Sequence, residues 1–185
     1  MTEKYLVEHC APTLAGLKTG GLVNVAFDSA AYANCEVCRL NRMLTGKGIR
    51  IIPLRYQSGR MLLYVYRPSM LKKDLENKTA RSLLERMGYR FGHVDLGVAL
   101  LARKMKECPQ FPHEIGLFLG YPPEDVDAFI HHRDTGCKCV GTWRVYGDET
   151  KARKEFARYK KCKEVYGRLF RDGRSIASLA VKKTA

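Results

Sequence analysis

The stretch IRIIPLRYQSGRMLLYVYRP, at residues 49–68, decides the fold because it predicts a β-hairpin. Two runs rich in β-branched and aromatic residues are joined by a short polar turn that contains Gly59. Pro53 indicates that the first run is an edge strand or carries a bulge, because proline has no N–H to donate to a neighbouring strand. Pro68 ends the second run and suits the first turn of a following helix. We therefore expect this hairpin at the centre of the sheet.

Further strands and helices are predicted on both sides of the hairpin. LVNVAF at 22–27 alternates like a strand, and CKCVGTWRVYG at 137–147 is predicted as another strand. The remaining patterns are typical of helices, including a long basic amphipathic helix over 149–170. Near the start of the chain, Pro12 is expected to interrupt a helical pattern, which would leave Cys10 near a helix end.

These elements favour an α/β (α+β) fold in a single domain that spans residues 1–185. Because strands and helices are interspersed and a hairpin is present, the sheet is expected to be antiparallel or mixed. We expect about four strands, with the hairpin central and helices covering the sheet.

The charge of the chain indicates what kinds of partner it could attract. The 185 residues include 33 Lys and Arg against 19 Asp and Glu, a formal net charge of +14. Such a surface would attract nucleic acid, an acidic protein or an anionic small molecule, or would simply keep the protein in solution. No apolar run approaches the length of a membrane span, and the first residues lack a secretory signal pattern. We therefore expect a cytoplasmic protein without a membrane partner.

Four blocks of the sequence resemble one family. The run FPHEIGLFLGYPPEDVDAFI at 111–130 is similar to the signature of a domain-of-unknown-function family of anaerobic Gram-positive bacteria. Stretches at 8–20, 48–68 and 138–162 are similar to other blocks of that family, the last including KCVGTWRVYG. The resemblance spans nearly the whole chain, but it brings no established activity with it.

The resemblance implies a cellular setting and a set of cysteines. It implies a protein in the cytosol of an anaerobe, whose gene lies near genes for flavodoxin and for iron acquisition. The cysteines that match the family's blocks are Cys10, Cys139 and Cys162. Thr142 stands where family members often have another cysteine, which weakens a site built from four thiolates.

Cys10, Cys139 and Cys162 are the candidate metal ligands. Thiolates suit iron-sulfur clusters and zinc, because soft sulfur donates well to these metals. Three thiolates would leave one coordination position open. Their spacing matches no compact cluster motif, however, and buried free cysteine is common as a small hydrophobic residue.

Two other groups of residues are candidates for chemistry. Cys10 as a nucleophile, with His113 as its base and Glu114 beside it, would make a cysteine-dependent enzyme. Helix capping is the alternative explanation for Glu114. Lys18 and Thr19, which lie between glycines, could approach an anionic cofactor, although no phosphate-loop motif is present.

The segment 151–174 is the most basic part of the chain. It contains ten Lys or Arg against three Asp or Glu, a net charge of +7. Lys154, Arg158 and Lys161 are the candidate partner-binding residues. Such a face could dock an acidic electron carrier such as flavodoxin, follow nucleic-acid phosphates, or be a solvated helix surface.

Three functions are consistent with these patterns. The leading hypothesis is a redox- or iron-associated accessory protein with a cysteine-lined site and a basic helix that docks an acidic electron carrier. The second is a nucleic-acid-binding module that uses the basic helix and exposed tyrosines. The third is the cysteine-dependent enzyme.

Overall fold

A computed structural model describes residues 2–89, 93–108, 110–133 and 135–182. Nine α-helices, five strands and a short 3-10 turn lie within these ranges. The helices are α1 Thr2–Leu14, α2 Ala30–Leu44, α3 Pro68–Leu75, α4 Lys78–Arg86, α5 Val94–Glu107, α6 Ile115–Phe118, α7 Pro123–His132, α8 Glu149–Arg171 and α9 Ile176–Leu179. The strands are β1 Gly20–Ala26, β2 Arg50–Gln57, β3 Arg60–Tyr66, β4 Cys139–Val140 and β5 Arg144–Val145, and the turn is Thr45–Lys47.

The predicted hairpin forms the centre of the main sheet. Strands β2 and β3 are antiparallel and are joined by Ser58 and Gly59, whose φ angles of 49° and 70° both lie in the left-handed region. Two left-handed residues match the right-handed twist of the flanking strands, which is why such turns close hairpins. The bulge expected from Pro53 is present, because the register shifts between Pro53 and Arg55.

The main sheet has three antiparallel strands in the order β1-β3-β2. Because β2 lies at one edge, Pro53 removes no hydrogen bond between central strands, as expected. Successive residues of a strand point to opposite faces, so each face of this sheet packs against different helices. The mixture of helices with an antiparallel sheet confirms the predicted fold class.

Each face of the sheet buries its own hydrophobic core. On one face, Val23 and Val25 of β1 pack with apolar residues of α1, α2 and α9. On the other face, Leu22 packs against a second core, which contains residues of α3 to α7. The result is three layers, with helices on both sides of the sheet. The C-terminal part of α8 packs on the first core through Tyr166 and Leu169.

The segment 137–147 does not add a fourth strand to the main sheet, so that prediction was wrong. It folds back on itself as the two-residue strands β4 and β5, which pair only with each other. Gly141 turns the chain, and its backbone N–H donates to the Trp143 carbonyl at 3.0 Å. A Cβ at Gly141 would lie 2.2 Å from the Phe156 ring, so the close packing of this turn on α8 requires glycine.

The expectation that Pro12 interrupts the first helix was also wrong. Helix α1 continues through Pro12 to Leu14, which places Cys10 inside the helix. The helix tolerates this proline because the carbonyl that loses its donor belongs to Glu8, an exposed residue that solvent can reach. Pro12 contributes its own carbonyl, which accepts the backbone N–H of Leu17 at 2.8 Å.

A buried arginine connects four distant segments. Arg67 follows β3 and is only 1% exposed. Its Nε donates to the Thr13 carbonyl at 2.6 Å, and its Nη2 donates to the carbonyls of Leu14 at 2.7 Å and Val181 at 2.8 Å. Its Nη1 donates to the Lys47 carbonyl at 3.2 Å. The guanidinium therefore joins the end of α1, the 3-10 turn and the C-terminal segment to the sheet, beside the negative end of the α1 dipole.

Replacing Arg67 with methionine is expected to lower the free energy of unfolding by about 3–5 kcal/mol, because buried carbonyls lose charged donors. Urea denaturation measures this change. Arg60→Met is the matched control, since Arg60 begins the strand that Arg67 follows and donates from an exposed position to the Asn24 carbonyl. The Arg60→Met control should lower the free energy of unfolding by about 1 kcal/mol or less. An Arg67→Met protein as stable as the control would show that this buried network does not hold the segments together.

Candidate functional site

The three candidate cysteines lie on three different elements. Cys10 is buried on α1, Cys162 is buried on α8, and Cys139 is half-buried on β4. Cys139 interacts electrostatically with Arg153, nine residues before Cys162 on α8, and nine helical residues span about 13 Å. Within the ranges that the structure describes, no group of three or more His, Cys, Asp or Glu side chains could hold a metal ion. The fold therefore does not gather these thiols into one site.

The surroundings of the two buried thiols favour the protonated form. Burial raises the pKa of Cys10 to about 12, against a smaller opposing effect of Lys18, and raises the pKa of Cys162 to about 11. Metal binding and nucleophilic attack both need the thiolate, which is stabilised by positive, partly exposed surroundings. In this conformation both thiols are covered by packed side chains, with Cys10 1% and Cys162 8% exposed.

Cys10 and His113 lie on opposite faces of the main sheet. Cys10 packs against Gly21 on the α1 side, where an added Cβ at Gly21 would lie 2.9 Å from the Cys10 sulfur. His113 lines a groove together with Leu22, the next residue of β1, whose side chain points to the other face. The sheet therefore separates the candidate nucleophile from its candidate base.

Glu114 belongs to a buried polar cluster. Its carboxylate accepts hydrogen bonds from the Tyr89 hydroxyl and from the Lys104 ammonium, each at 3.1 Å. It makes no side-chain capping bond to α6, so capping does not explain it. Burial and the Glu114 carboxylate raise the pKa of Tyr89 well above its ordinary value. The cluster ties α5 to the start of α6.

Lys18 and Thr19 are engaged inside the protein. The Lys18 ammonium donates to the Gly20 carbonyl and lies 4.9 Å from the centroid of the Tyr121 ring. Burial lowers the pKa of Lys18 to about 8. The Thr19 hydroxyl donates to the Asp74 carboxylate. Both side chains thus bind groups of the protein, and they link the loop before β1 to the opposite layer of helices.

Helix α8 presents the expected basic surface. It carries nine Lys or Arg against three Glu, a net charge of +6. Ala152, Tyr159 and Cys162 are its buried residues, so they define its inner side. The basic side chains are exposed and form the α8 basic face: Lys151, Arg153, Lys154, Arg158, Lys160, Lys161, Lys163, Arg168 and Arg171.

The tyrosines of α8 are not part of this surface. Tyr159 is only 7% exposed, and Tyr166 packs against the first core. Burial raises the pKa of both phenols. The expected alternation of exposed tyrosines with basic residues is therefore absent from α8, which the structure describes throughout.

A groove lies between the segment after α5 and the β4-β5 hairpin. Its volume is about 390 Å³. Aromatic and apolar side chains make up most of its walls, including Phe111, Tyr121, Phe129 and Trp143. Tyr121 and Trp143 stack with ring centroids 5.0 Å apart. We call this feature the aromatic groove.

A single carboxylate holds the two walls of the aromatic groove together. Asp125, near the start of α7, accepts the Trp143 indole N–H at 2.7 Å. It also accepts the backbone N–H groups of Tyr146 at 2.7 Å and Gly147 at 2.8 Å. Three donors satisfy most of the acceptor capacity of this buried side chain. The block at 111–130 and the block at 138–162 are therefore physically joined.

Of the residues that line the groove, the sequence patterns indicate only His113 as a site residue, as the base for Cys10. Asp125 was explained by its place in the first turn of a helix, where carboxylates are common. Trp143 and Phe129 lie in segments whose local pattern predicts only a strand and a helix. One signal was available: Trp143 is the only tryptophan of the chain, and a buried indole N–H usually finds an acceptor.

The fold and these features define a three-layer α+β protein that combines a basic outer helix with a separate aromatic groove. A family model described as "Protein of unknown function (DUF3793)" matches residues 6–180. The chain belongs to this family, which agrees with the resemblance of its sequence blocks.

Neither a curated protein nor a solved structure matched the chain. Throughout the described ranges, no helix combines the length and apolar character that crossing a membrane requires.

The contrast between buried and exposed cysteines predicts a large difference in alkylation rate. At pH 8, Cys10 should react with iodoacetamide at least about a thousandfold more slowly than exposed Cys35, because its thiolate is scarce and covered. Mass spectrometry of peptides after timed alkylation measures both rates on the same molecule. Comparable rates at the two sites would restore Cys10 as a candidate nucleophile or metal ligand.

Proposed function

We propose that this protein is a binding protein that docks an acidic partner protein through the α8 basic face. The partner is an acidic electron carrier of the flavodoxin kind, and the protein acts as an accessory to electron transfer. The observation that carries the proposal is the exposed, largely uncompensated positive charge along one complete helix.

The arrangement of charges supports docking. Lys154, Arg158 and Lys161 are spaced by four and three residues, so they lie along one side of the helix. Within the described chain, the α8 cations that form ion pairs are Arg153 with Glu149 at 2.7 Å and Arg158 with Glu155 at 3.0 Å. The other basic side chains face solvent over a helix about 34 Å long. An extended acidic surface could neutralise many of them together.

An acidic protein fits this surface better than nucleic acid does. Single-stranded nucleic acid is bound by basic grooves whose exposed aromatic rings stack on bases. On α8 the tyrosines face the protein interior, and the outer side offers charge alone. Charge on a convex helix gives electrostatic steering and orientation, which is what transient protein docking uses.

The choice of an electron carrier rests on the family resemblance. The separate, buried thiols give no support to a metal or cluster within this chain. An accessory role needs only that the protein binds the carrier, and the α8 basic face is sufficient for that. The redox centre would then belong to the partner.

A triple variant tests the proposal. Lys154→Gln, Arg158→Gln and Lys161→Gln together should weaken binding to a purified flavodoxin about tenfold at low salt, at roughly 0.5 kcal/mol per lost ion pair. Titration calorimetry at several salt concentrations measures the effect. The affinity of the unaltered protein should fall as salt rises, because salt screens exposed charges.

The matched control changes the same net charge on the opposite layer. Lys72→Gln, Lys78→Gln and Lys106→Gln lie on α3, α4 and α5, and all three side chains are exposed. This control should bind flavodoxin as the unaltered protein does. Equal weakening by both triples, no binding at low salt, or binding only to duplex DNA or RNA oligonucleotides would contradict the proposal.

A further inference from the structure

We propose that the aromatic groove is a binding site for a small planar aromatic anion, such as an aromatic carboxylate. No residue of the α8 basic face lines the groove, and the inference does not depend on the proposed docking function. Its volume of about 390 Å³ falls within the range of small-molecule sites, which are commonly about 300–1,000 Å³.

The walls of the groove suit a flat ring. Trp143 stacks on Tyr121, meets the Phe156 ring at 75° with centroids 4.6 Å apart, and donates its indole N–H to Asp125. A ligand would therefore contact the part of the Trp143 ring that lines the groove. His113 meets Phe129 edge to face, with ring centroids 5.1 Å apart and planes at 90°. Aromatic pairs favour offset-stacked or edge-to-face contacts, which an inserted ring could extend.

Positive charge collects at one end of the groove. The guanidinium carbons of Arg133 and Arg144 lie 5.3 Å and 5.8 Å from the centroid of the Phe129 ring. Arg144 also lines the groove itself. The Arg144 Nη1 already donates to the Arg133 carbonyl at 2.7 Å, which holds the two residues together. Their combined positive charge beside one aromatic wall favours a ligand that carries a negative group at that end, since guanidinium matches carboxylate geometry.

Among the described residues, Asp125 is the carboxylate in the groove wall, and it does not oppose an anion. Asp125 accepts three hydrogen bonds from Trp143, Tyr146 and Gly147, all of which point at its oxygens. Those donors offset its charge locally. The rest of the wall includes Leu22, Leu119 and Val126, which exclude water from a bound ring without competing for its polar group.

Exposed apolar side chains at the mouth of the groove are a further argument that a ligand binds there. Phe111 is 39% exposed and Val140 is 71% exposed, and both line the groove. A bound ring would cover part of both side chains. Apolar surface that lines a concave site is a common sign of ligand binding.

The test compares two ligands that differ in charge but hardly in shape. Naphthalene-2-carboxylate and naphthalene-2-carboxamide are titrated into the unaltered protein, with calorimetry for affinity. Trp143 is the one tryptophan of the chain, and its emission reports on ligands bound beside it, in this groove or in the neighbouring cleft that it also lines. The carboxylate should bind at least about tenfold more tightly than the amide, as expected for a charge-assisted contact, and should change the Trp143 emission.

Variants separate the two parts of the site. Arg144→Met should reduce the preference for the carboxylate at least about fivefold, whereas Arg144→Lys should retain part of it. Phe129→Leu, which keeps most of the volume, should weaken both ligands several-fold through loss of the aromatic wall. Arg42→Met, at an exposed position of α2 outside the groove, is the control and should change neither affinity. Thermal unfolding of each variant checks that the fold is kept.

Several outcomes would overturn the inference. These are equal affinity for the two ligands, binding without a change in Trp143 emission, and no binding of the carboxylate. Emission that changes with protein concentration alone, together with a dimer in sedimentation, would show that a second copy of the chain covers the groove instead.

Discussion

The buried guanidinium of Arg67 is the interaction on which the arrangement of the layers depends. Its donors reach carbonyl groups in α1, in the turn after α2 and near the C-terminus, while its own backbone N–H donates to the Thr19 carbonyl at 2.9 Å. Burial lowers its pKa, but four carbonyl acceptors stabilise the charge. Helix α1, once held there, supplies the surface on which α8 packs. The orientation of the basic face thus depends on a residue far from it in sequence.

Local patterns were sufficient for most of the secondary structure. The hairpin at 49–68 and helix α7 follow from Gly59 and Pro123, whose effects act within a few residues. The errors arose where tertiary contacts decided the outcome. The segment 137–147 has strand-like residues, yet the packing of Gly141 on Phe156 favours a tight turn. Pro12 stays helical because the chain around it is held at the end of α1.

The site was less accessible to sequence reasoning than the fold was. The basic face could be predicted because spacing along one helix determines which side chains share a side. The roles of Arg67 and Asp125 could not, since most of their partners are backbone groups that carry no residue signature. The expected convergence of Cys10, Cys139 and Cys162 depends on long-range geometry, and the described residues include no group of three ligands that could hold a metal ion. The fold presents two different surfaces, one charged and convex along α8, the other aromatic and concave.

The most direct test of the central claim is a footprint of lysine acetylation, measured by mass spectrometry with and without bound flavodoxin. The account predicts that Lys154, Lys160 and Lys161 become protected in the complex, because a partner would cover the exposed side of α8. Lys72 and Lys106, on the opposite layer, should react as before. Protection of those two lysines with α8 left fully reactive would contradict the account.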